Sequence, residues 1–103
     1  MNINKIKDLE KNIITINFSG NLDFECVNEI KAELLKEFSE NNEIVINLNN
    51  SSEIDLPVIQ LFYSAYKTAL LRKIKLVIKE KSNGNVVKKI ISSSIFSSKK
   101  RNK

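Results

Sequence analysis

The sequence predicts a single α/β domain with a mixed four-stranded sheet and helices packed mainly on one face. Three observations support this class. The chain has 103 residues, which is enough for one hydrophobic core. From residue 13 onward, short strand-like apolar segments alternate with longer segments of helical spacing. The resulting order, β-β-α-β-α-β-α, requires crossover connections and therefore parallel strands in the centre of the sheet.

The first two strands are predicted over residues 3–9 and 13–18. Lysines interrupt the first segment, as is typical of an edge strand. The second segment alternates Ile14, Ile16 and Phe18 with other residues and is rich in β-branched side chains. A turn at Lys11-Asn12 joins the two strands into a hairpin, and Ser19-Gly20-Asn21 is expected to end the second strand.

The first helix is predicted to begin after Asp23, whose carboxylate can accept hydrogen bonds from the free N–H groups of a first helical turn. Charged residues flank an apolar stripe at helical spacing. This stripe consists of Val27, Ile30, Leu34 and Phe38. The helix is expected to end within residues 39–42.

The third strand is predicted to begin at residues 43–47, where an almost unbroken apolar run indicates burial on both faces. A polar loop is expected over residues 49–53. The fourth strand is predicted over residues 73–79, with Ile74, Leu76 and Ile78 on one face.

A second helix is predicted between these strands. Pro57 suits its first turn because the missing N–H is not needed there. Leu56 is expected to be the last extended residue, since the residue before a proline is pushed out of the helical region. Val58, Phe62, Ala65 and Ala69 form one stripe. Because apolar residues cover most of the circumference, this helix is either heavily packed or carries an exposed apolar patch.

The last part of the chain is predicted to contain a turn at residues 82–85 and a short third helix at residues 87–96. The domain is therefore assigned to residues 3–96, and residues 97–103 are expected to form a disordered basic tail. Most of the net charge of +5 comes from this tail, so the body is close to neutral. Nucleic-acid binding is not expected, because it usually requires a basic patch on the folded surface.

The inventory of reactive residues is small. With no histidine and one cysteine, Cys26, neither a zinc site nor a disulfide is expected, and no cofactor, metal or catalytic residue is assigned. Cys26 is interpreted as a small, partly buried side chain. The lone thiol, the lack of a signal-peptide pattern and the lack of an apolar run of about 20 residues predict a cytoplasmic protein without a membrane span.

Three segments resemble the STAS domain family, named for sulphate transporters and anti-sigma-factor antagonists. Residues 18–23 (Phe-Ser-Gly-Asn-Leu-Asp) resemble that family's Gly-Glu-Leu-Asp turn before its first helix. Residues 46–48 and the following Ile54-Asp55 resemble the strand, loop and Ile-Asp that lead into its second helix. Residues 87–91 resemble the start of its final helix. The resemblance runs over residues 3–96 and implies the STAS fold.

The chain departs from the family at the entrance of the second helix. Antagonists regulated by phosphorylation carry Asp-Ser-Ser-Gly or Asp-Thr-Ser-Gly there, whereas this chain has Asp55-Leu56-Pro57-Val58. Leucine cannot accept phosphate, so the charge change that would act on this helix N-terminus is lost. Ser51 and Ser52 in the preceding loop are alternative acceptor candidates. The family's final strand also has no counterpart in the basic tail.

The resemblance implies a binding surface at this end of the domain. The candidate partner-binding residues are Gly20, Asp23, Asp55, Leu56, Pro57, Ile59, Gln60 and Tyr63. Asp23 and Asp55 have two interpretations, as helix caps worth around 1 kcal/mol each or as recognition groups. Aromatic residues of the second helix would suit hot spots of an interface.

Three classes of function follow. The first is a non-enzymatic regulatory protein of signal transduction that acts through protein–protein interaction. It would be anti-sigma-factor antagonist-like, or a signalling or chemotaxis adaptor, with an anti-sigma factor or histidine-kinase-like protein as partner. The alternative is a small accessory subunit of a lipid-transport ABC complex, with the second helix against an ATPase subunit. An enzyme, the third class, is disfavoured by the poor catalytic inventory. An exposed sheet edge or second-helix patch would support a weak homodimer.

Overall fold

A mixed sheet forms the centre of the part of the chain that the computed structural model describes, residues 1–81, 84, 86 and 88. Two helices and a short 3-10 turn (Phe24–Cys26) connect its strands. In chain order the elements are β1 (Asn2–Asp8), β2 (Ile13–Leu22), α1 (Val27–Phe38), β3 (Glu43–Ile54), α2 (Leu56–Arg72) and β4 (Lys75–Lys79). The α/β class and the order of these elements are confirmed, whereas the turn and third helix proposed from residue 82 onward lie largely outside the described residues.

The strands lie in the order β1-β2-β3-β4. β1 pairs with β2 antiparallel, and β2, β3 and β4 are parallel. Each of the two crossovers moves one strand further in the same direction across the sheet, so right-handed connections place α1 and α2 on the same face. This is the predicted arrangement of a mixed sheet covered by helices mainly on one side.

The core lies between this face and the two helices. Ile16 and Phe18 of β2 and Ile46 of β3 are fully buried in it. The Phe18 ring packs against the Phe62 ring of α2 with centroids 5.9 Å apart. β3 is central and Val45, on its opposite face, is also buried, which confirms the burial on both faces that the apolar run predicts.

β2 and β3 are both longer than predicted. β2 continues through Gly20 to Leu22, and β3 continues to Ile54, so the expected polar loop at residues 49–53 is strand. These extensions pair with each other, Gly20 beside Ser51 and Leu22 beside Ile54, with register irregularities between them. Backbone hydrogen bonding therefore extends the strands although the side chains there are polar.

The boundaries of α2 and β4 also differ from the prediction. α2 begins at Leu56, because the Asp55 carbonyl accepts from both Val58 N (3.0 Å) and Ile59 N (3.1 Å) and so draws Leu56 and Pro57 into the first turn. At the other end, Lys73 has a left-handed backbone (φ 59°) and closes the helix with its N–H bonded to the last-turn carbonyls. β4 consequently begins at Lys75 rather than at residue 73.

Candidate protein-binding site

The start of α1 and the start of α2 meet at the carboxyl ends of β2 and β3. The Asp55 N–H donates to the Leu22 carbonyl at 3.0 Å. In the opposite direction, the Phe24 N–H donates to Asp55 Oδ2 at 3.1 Å. These two hydrogen bonds join the β2–α1 connection to the helix entrance, so the two segments form one surface.

Asp23 and Asp55 have different structural roles. Asp23 caps the 3-10 turn that leads into α1, because its Oδ1 accepts from the Glu25 N–H at 3.1 Å. The predicted capping bond is therefore present, but on the 3-10 turn; α1 itself begins later than predicted, at Val27, with Cys26 at its N-cap position and no side-chain cap. Asp55 occupies the N-cap position of α2, but its side chain makes no capping hydrogen bond there. Its carboxylate instead holds Phe24, so the interpretation of Asp55 as a side-chain cap of its own helix is wrong.

The Cys26 thiol lies behind Asp23, with Sγ 3.4 Å from Asp23 Oδ1. Burial raises the pKa of Cys26, and the hydrogen bond with the Asp23 carboxylate raises it further. The thiol is therefore held protonated at neutral pH, which disfavours a nucleophilic role.

Two large apolar side chains are exposed at this junction. Phe24 is 65% exposed and Leu56 is 58% exposed. Pro57 and Gln60 are exposed on the adjoining first turns of α2. We call this set the entrance surface: Asp23, Phe24, Asp55, Leu56, Pro57 and Gln60. Exposed aromatic and aliphatic side chains on a fixed backbone are suited to act as interface anchors.

The other predicted residues lie beside or beneath the entrance surface. Tyr63 is half-buried one turn further along α2, and Lys67 Nζ lies 5.3 Å from the centroid of its ring. Ile59 is only 5% exposed and belongs to the core, so it supports the surface from below and cannot present its side chain to a partner.

Gly20 and the two candidate serines lie on the strand extensions. Gly20 has a left-handed backbone (φ 82°) in β2 and pairs with Ser51. Ser51 is half-buried. Its hydroxyl donates a hydrogen bond to the Leu48 carbonyl at 2.7 Å. Ser52 is exposed.

Phe24 is the functional candidate that sequence reasoning missed. It stands three residues before Val27, so helical spacing would place it on the buried stripe of α1. Residues 24–26 instead form a 3-10 turn that precedes α1, so the period of α1 does not apply to Phe24, and its side chain is exposed. An aromatic residue directly after an N-cap aspartate was the available signal.

A family model for the STAS domain matches residues 4–98. The chain belongs to the STAS domain family. This confirms the resemblance found in the motifs around Asp23 and Asp55. In the described part of this STAS domain, no helix has the length and apolar character needed to cross a membrane.

Solved structures of anti-sigma-factor antagonists share the fold. The anti-sigma factor antagonist SpoIIAA in its unphosphorylated form matches with a TM-score of 0.65 and 15% identity, over 75% of this chain and 71% of that one. An antagonist from Mycobacterium paratuberculosis matches with a TM-score of 0.69 and 11% identity, over 95% and 82%. A STAS-domain antagonist from Rhodobacter sphaeroides gives 0.65 and 15%, over 76% and 84%. A sequence search of curated proteins finds no match.

Proposed function

We propose that this STAS domain is a regulatory protein that binds another protein through the entrance surface and catalyses no reaction. The observation that carries the proposal is the pair of hydrogen bonds between the β2–α1 connection and Asp55. They fix the backbone beneath two exposed apolar side chains, Phe24 and Leu56. A surface that is ordered before binding loses less conformational entropy on association.

The charges around these anchors indicate the chemistry of the partner. Asp23, Glu25 and Asp55 surround Phe24, and no basic side chain lies between residues 12 and 30. A partner surface with an apolar recess and basic or N–H donor groups at its rim would complement this pattern. In analogy to the structural relatives, an anti-sigma factor or a histidine-kinase-like protein is the first candidate.

The first residues of α2 favour a binding mode that does not depend on phosphorylation at the start of this helix. Leu56 is the first residue of α2 and offers no hydroxyl. This feature also suits a permanently bound subunit, which keeps the accessory subunit of a lipid-transport ABC complex as the second candidate. The identity of the bound protein separates the two: an anti-sigma factor or kinase supports signalling, and an ABC ATPase supports transport.

The proposal is tested by single substitutions that place a charge on each anchor, Phe24→Asp and Leu56→Asp. The partner would be captured from native cells with the tagged wild-type domain, identified by mass spectrometry, purified and titrated by calorimetry. Each substitution should weaken binding at least tenfold, because hot-spot anchors contribute about 2 kcal/mol or more. Leu35→Asp is the matched control, since Leu35 is 51% exposed on α1 outside the entrance surface. Equal affinity of all three variants and the wild type would contradict the proposal.

Two substitutions of Asp55 separate its structural role from recognition. In Asp55→Asn the amide oxygen can still accept from the Phe24 N–H, so the backbone should stay in place while the charge is lost. In Asp55→Ala both are lost, and we expect stability to fall by about 1 kcal/mol. Weaker partner binding by Asp55→Asn at unchanged stability would assign the carboxylate to recognition. Weaker binding by Asp55→Ala alone would assign it to positioning Phe24.

A further inference from the structure

A second set of exposed apolar residues runs along α2 beyond the entrance surface. Leu56, Tyr63 and Leu70 are spaced seven residues apart and therefore lie on one face of the helix. Leu56 and Leu70 are 58% and 60% exposed, and Tyr63 between them is half-buried. The exposed side chains of Gln60 and Lys67 fill the intervening turns. The stripe extends over about 21 Å at 1.5 Å per residue.

This stripe has the symmetry of an interface between identical helices. Leu56 and Leu70 are each seven residues from Tyr63, and Gln60 and Lys67 stand three and four residues from it. When a second α2 is laid antiparallel with its Tyr63 opposite the first, Leu56 of each copy meets Leu70 of the other. The Gln60 amide of each copy then lies near the Lys67 ammonium of the other. A two-fold interface requires this kind of self-complementarity.

The charges on α2 and its flanks have the same complementarity. Glu53 and Asp55 lie at the amino end, and the only charged residues within or directly after the helix are Lys67, Arg72 and Lys73 towards the carboxyl end. An antiparallel pair brings the acidic end of each copy beside the basic end of the other. A parallel pair would instead bring like charges together.

We propose that two copies of this chain associate through antiparallel α2 helices, centred on Tyr63, in a two-fold symmetric dimer. Three apolar residues per copy bury less than the roughly 800 Å² per partner of a standard stable interface, so the dimer is weak, with a dissociation constant on the order of 100 μM. The pairing covers Leu56. The dimer and the complex with a protein partner at the entrance surface therefore exclude each other, and local concentration regulates access to that surface.

The association is tested by sedimentation velocity of the purified full chain up to about 1 mM. The wild type should shift from one copy to two as concentration rises. Leu70→Asp should weaken association at least tenfold because it places a carboxylate opposite Leu56 of the other copy. The control is Leu71→Asp, the neighbouring and more exposed residue (85%), which points about 100° away from the stripe. Leu71→Asp should associate as the wild type does. Thermal unfolding of each variant verifies that it is folded.

A double substitution tests the register. In Leu56→Lys with Leu70→Asp, the predicted pairing sets Lys against Asp at both ends, so association should recover at least fivefold relative to Leu70→Asp alone and become sensitive to salt. A wild type that stays monomeric at 1 mM, equal effects of Leu70→Asp and Leu71→Asp, or a double variant no tighter than the single one would each overturn the proposal. Leu70 lies about 21 Å along α2 from Leu56 and outside the entrance surface. Titration of the protein partner with Leu70→Asp therefore tests the proposed function independently of the dimer.

Discussion

At the scale of single residues, the backbone conformation at position 20 explains why glycine is found there. Its φ of 82° lies in the left-handed region, which residues other than glycine rarely adopt. A Cβ at this position would have its nearest contact at 3.6 Å, with Met1 Cα, which is an ordinary van der Waals distance. The requirement for glycine is therefore conformational and not a matter of space.

Two substitutions of Gly20 test this interpretation. Gly20→Ala should lower the free energy of unfolding by about 1 kcal/mol, because alanine is strained in the left-handed region. Gly20→Asn should lose less despite its larger side chain, since asparagine tolerates this conformation better. Urea denaturation of both variants measures the difference. The reverse order, with Asn more damaging than Ala, would show that space decides.

The role of a single residue could be predicted from the sequence where it depends only on neighbouring residues. Asp23 as a helix cap follows from its position before a helical segment, and the cap is present. The carboxylate of Asp55 could not be assigned in the same way, because its partner, the Phe24 N–H, is 31 residues away along the chain. Phe24 lies in the 3-10 turn before α1, so the helical period does not apply to it. The burial of Ile59 depends on the rotation of α2, which periodicity gives only approximately.

At the scale of elements, β1 is attached to α1 by charges. Lys5 projects towards the helices at the edge of the sheet, where its Nζ lies 2.7 Å from both Glu33 Oε1 and Glu37 Oε2. Glu37 is buried and also accepts from the Asn41 side chain at 3.0 Å. Lys5, one of the lysines of the predicted edge strand, thus anchors β1 to α1.

Removing the Lys5 ammonium alone should lower stability more than removing both members of the Lys5–Glu37 ion pair. Lys5→Met leaves the buried Glu37 carboxylate without its cation, with only the Asn41 hydrogen bond remaining to the side chain, and should lower the free energy of unfolding by about 1–2 kcal/mol. The double variant with Glu37→Met should recover most of this loss, because two apolar side chains replace the pair. Lys36→Met is the control, since Lys36 contacts Glu33 from an exposed position and such pairs contribute about 0–1 kcal/mol. A double variant less stable than Lys5→Met, measured by urea denaturation, would refute this account.

The lengths of β2 and β3 show the limit of pattern reasoning at the element scale. Hydrophobic alternation reports which side chains face a core, and it identified the central part of both strands. The segments around Gly20 and Ser51 bury few apolar groups, but their backbones still pair. These pairs bring Leu22 next to Ile54 and so place Asp23 beside Asp55. The periodicity of apolar side chains therefore could not predict the junction that forms the candidate site.

At the scale of the whole molecule, stability should depend on pH through a small number of groups. The chain has no histidine, so no side chain has its ordinary pKa between about 5 and 8. The Lys5 hydrogen bond, with that of Lys36, holds the pKa of Glu33 below its ordinary value of 4.5. Burial alone would lower the pKa of Lys5, but its hydrogen bonds with Glu33 and Glu37 outweigh burial and raise the pKa above 10.5. For the Cys26 thiol, burial acts in the opposite direction and raises the pKa above 9.0.

These directions determine where stability is lost. A carboxyl group with a lowered pKa in the folded state stabilises the protein above its unfolded pKa, so the contribution of Glu33 should disappear as pH falls below about 4.5. Groups with raised pKa values stabilise below their unfolded pKa, so the contributions of Cys26 and Lys5 should be lost as pH rises beyond 9.0 and 10.5. We therefore expect urea midpoints to be nearly constant from about pH 6 to 8 and to fall on both sides.

The substitution Lys5→Met distinguishes this origin from a general effect of net charge. Without the ammonium, the pKa of Glu33 should return towards 4.5, so the decline of the urea midpoint between about pH 5 and 3 should become shallower than in the wild type. Lys36→Met removes the same formal charge from a more exposed position and should leave most of that decline in place. An acid limb flattened equally by both variants would mean that overall charge repulsion, and not the attachment of β1 to α1, governs the loss of stability in acid.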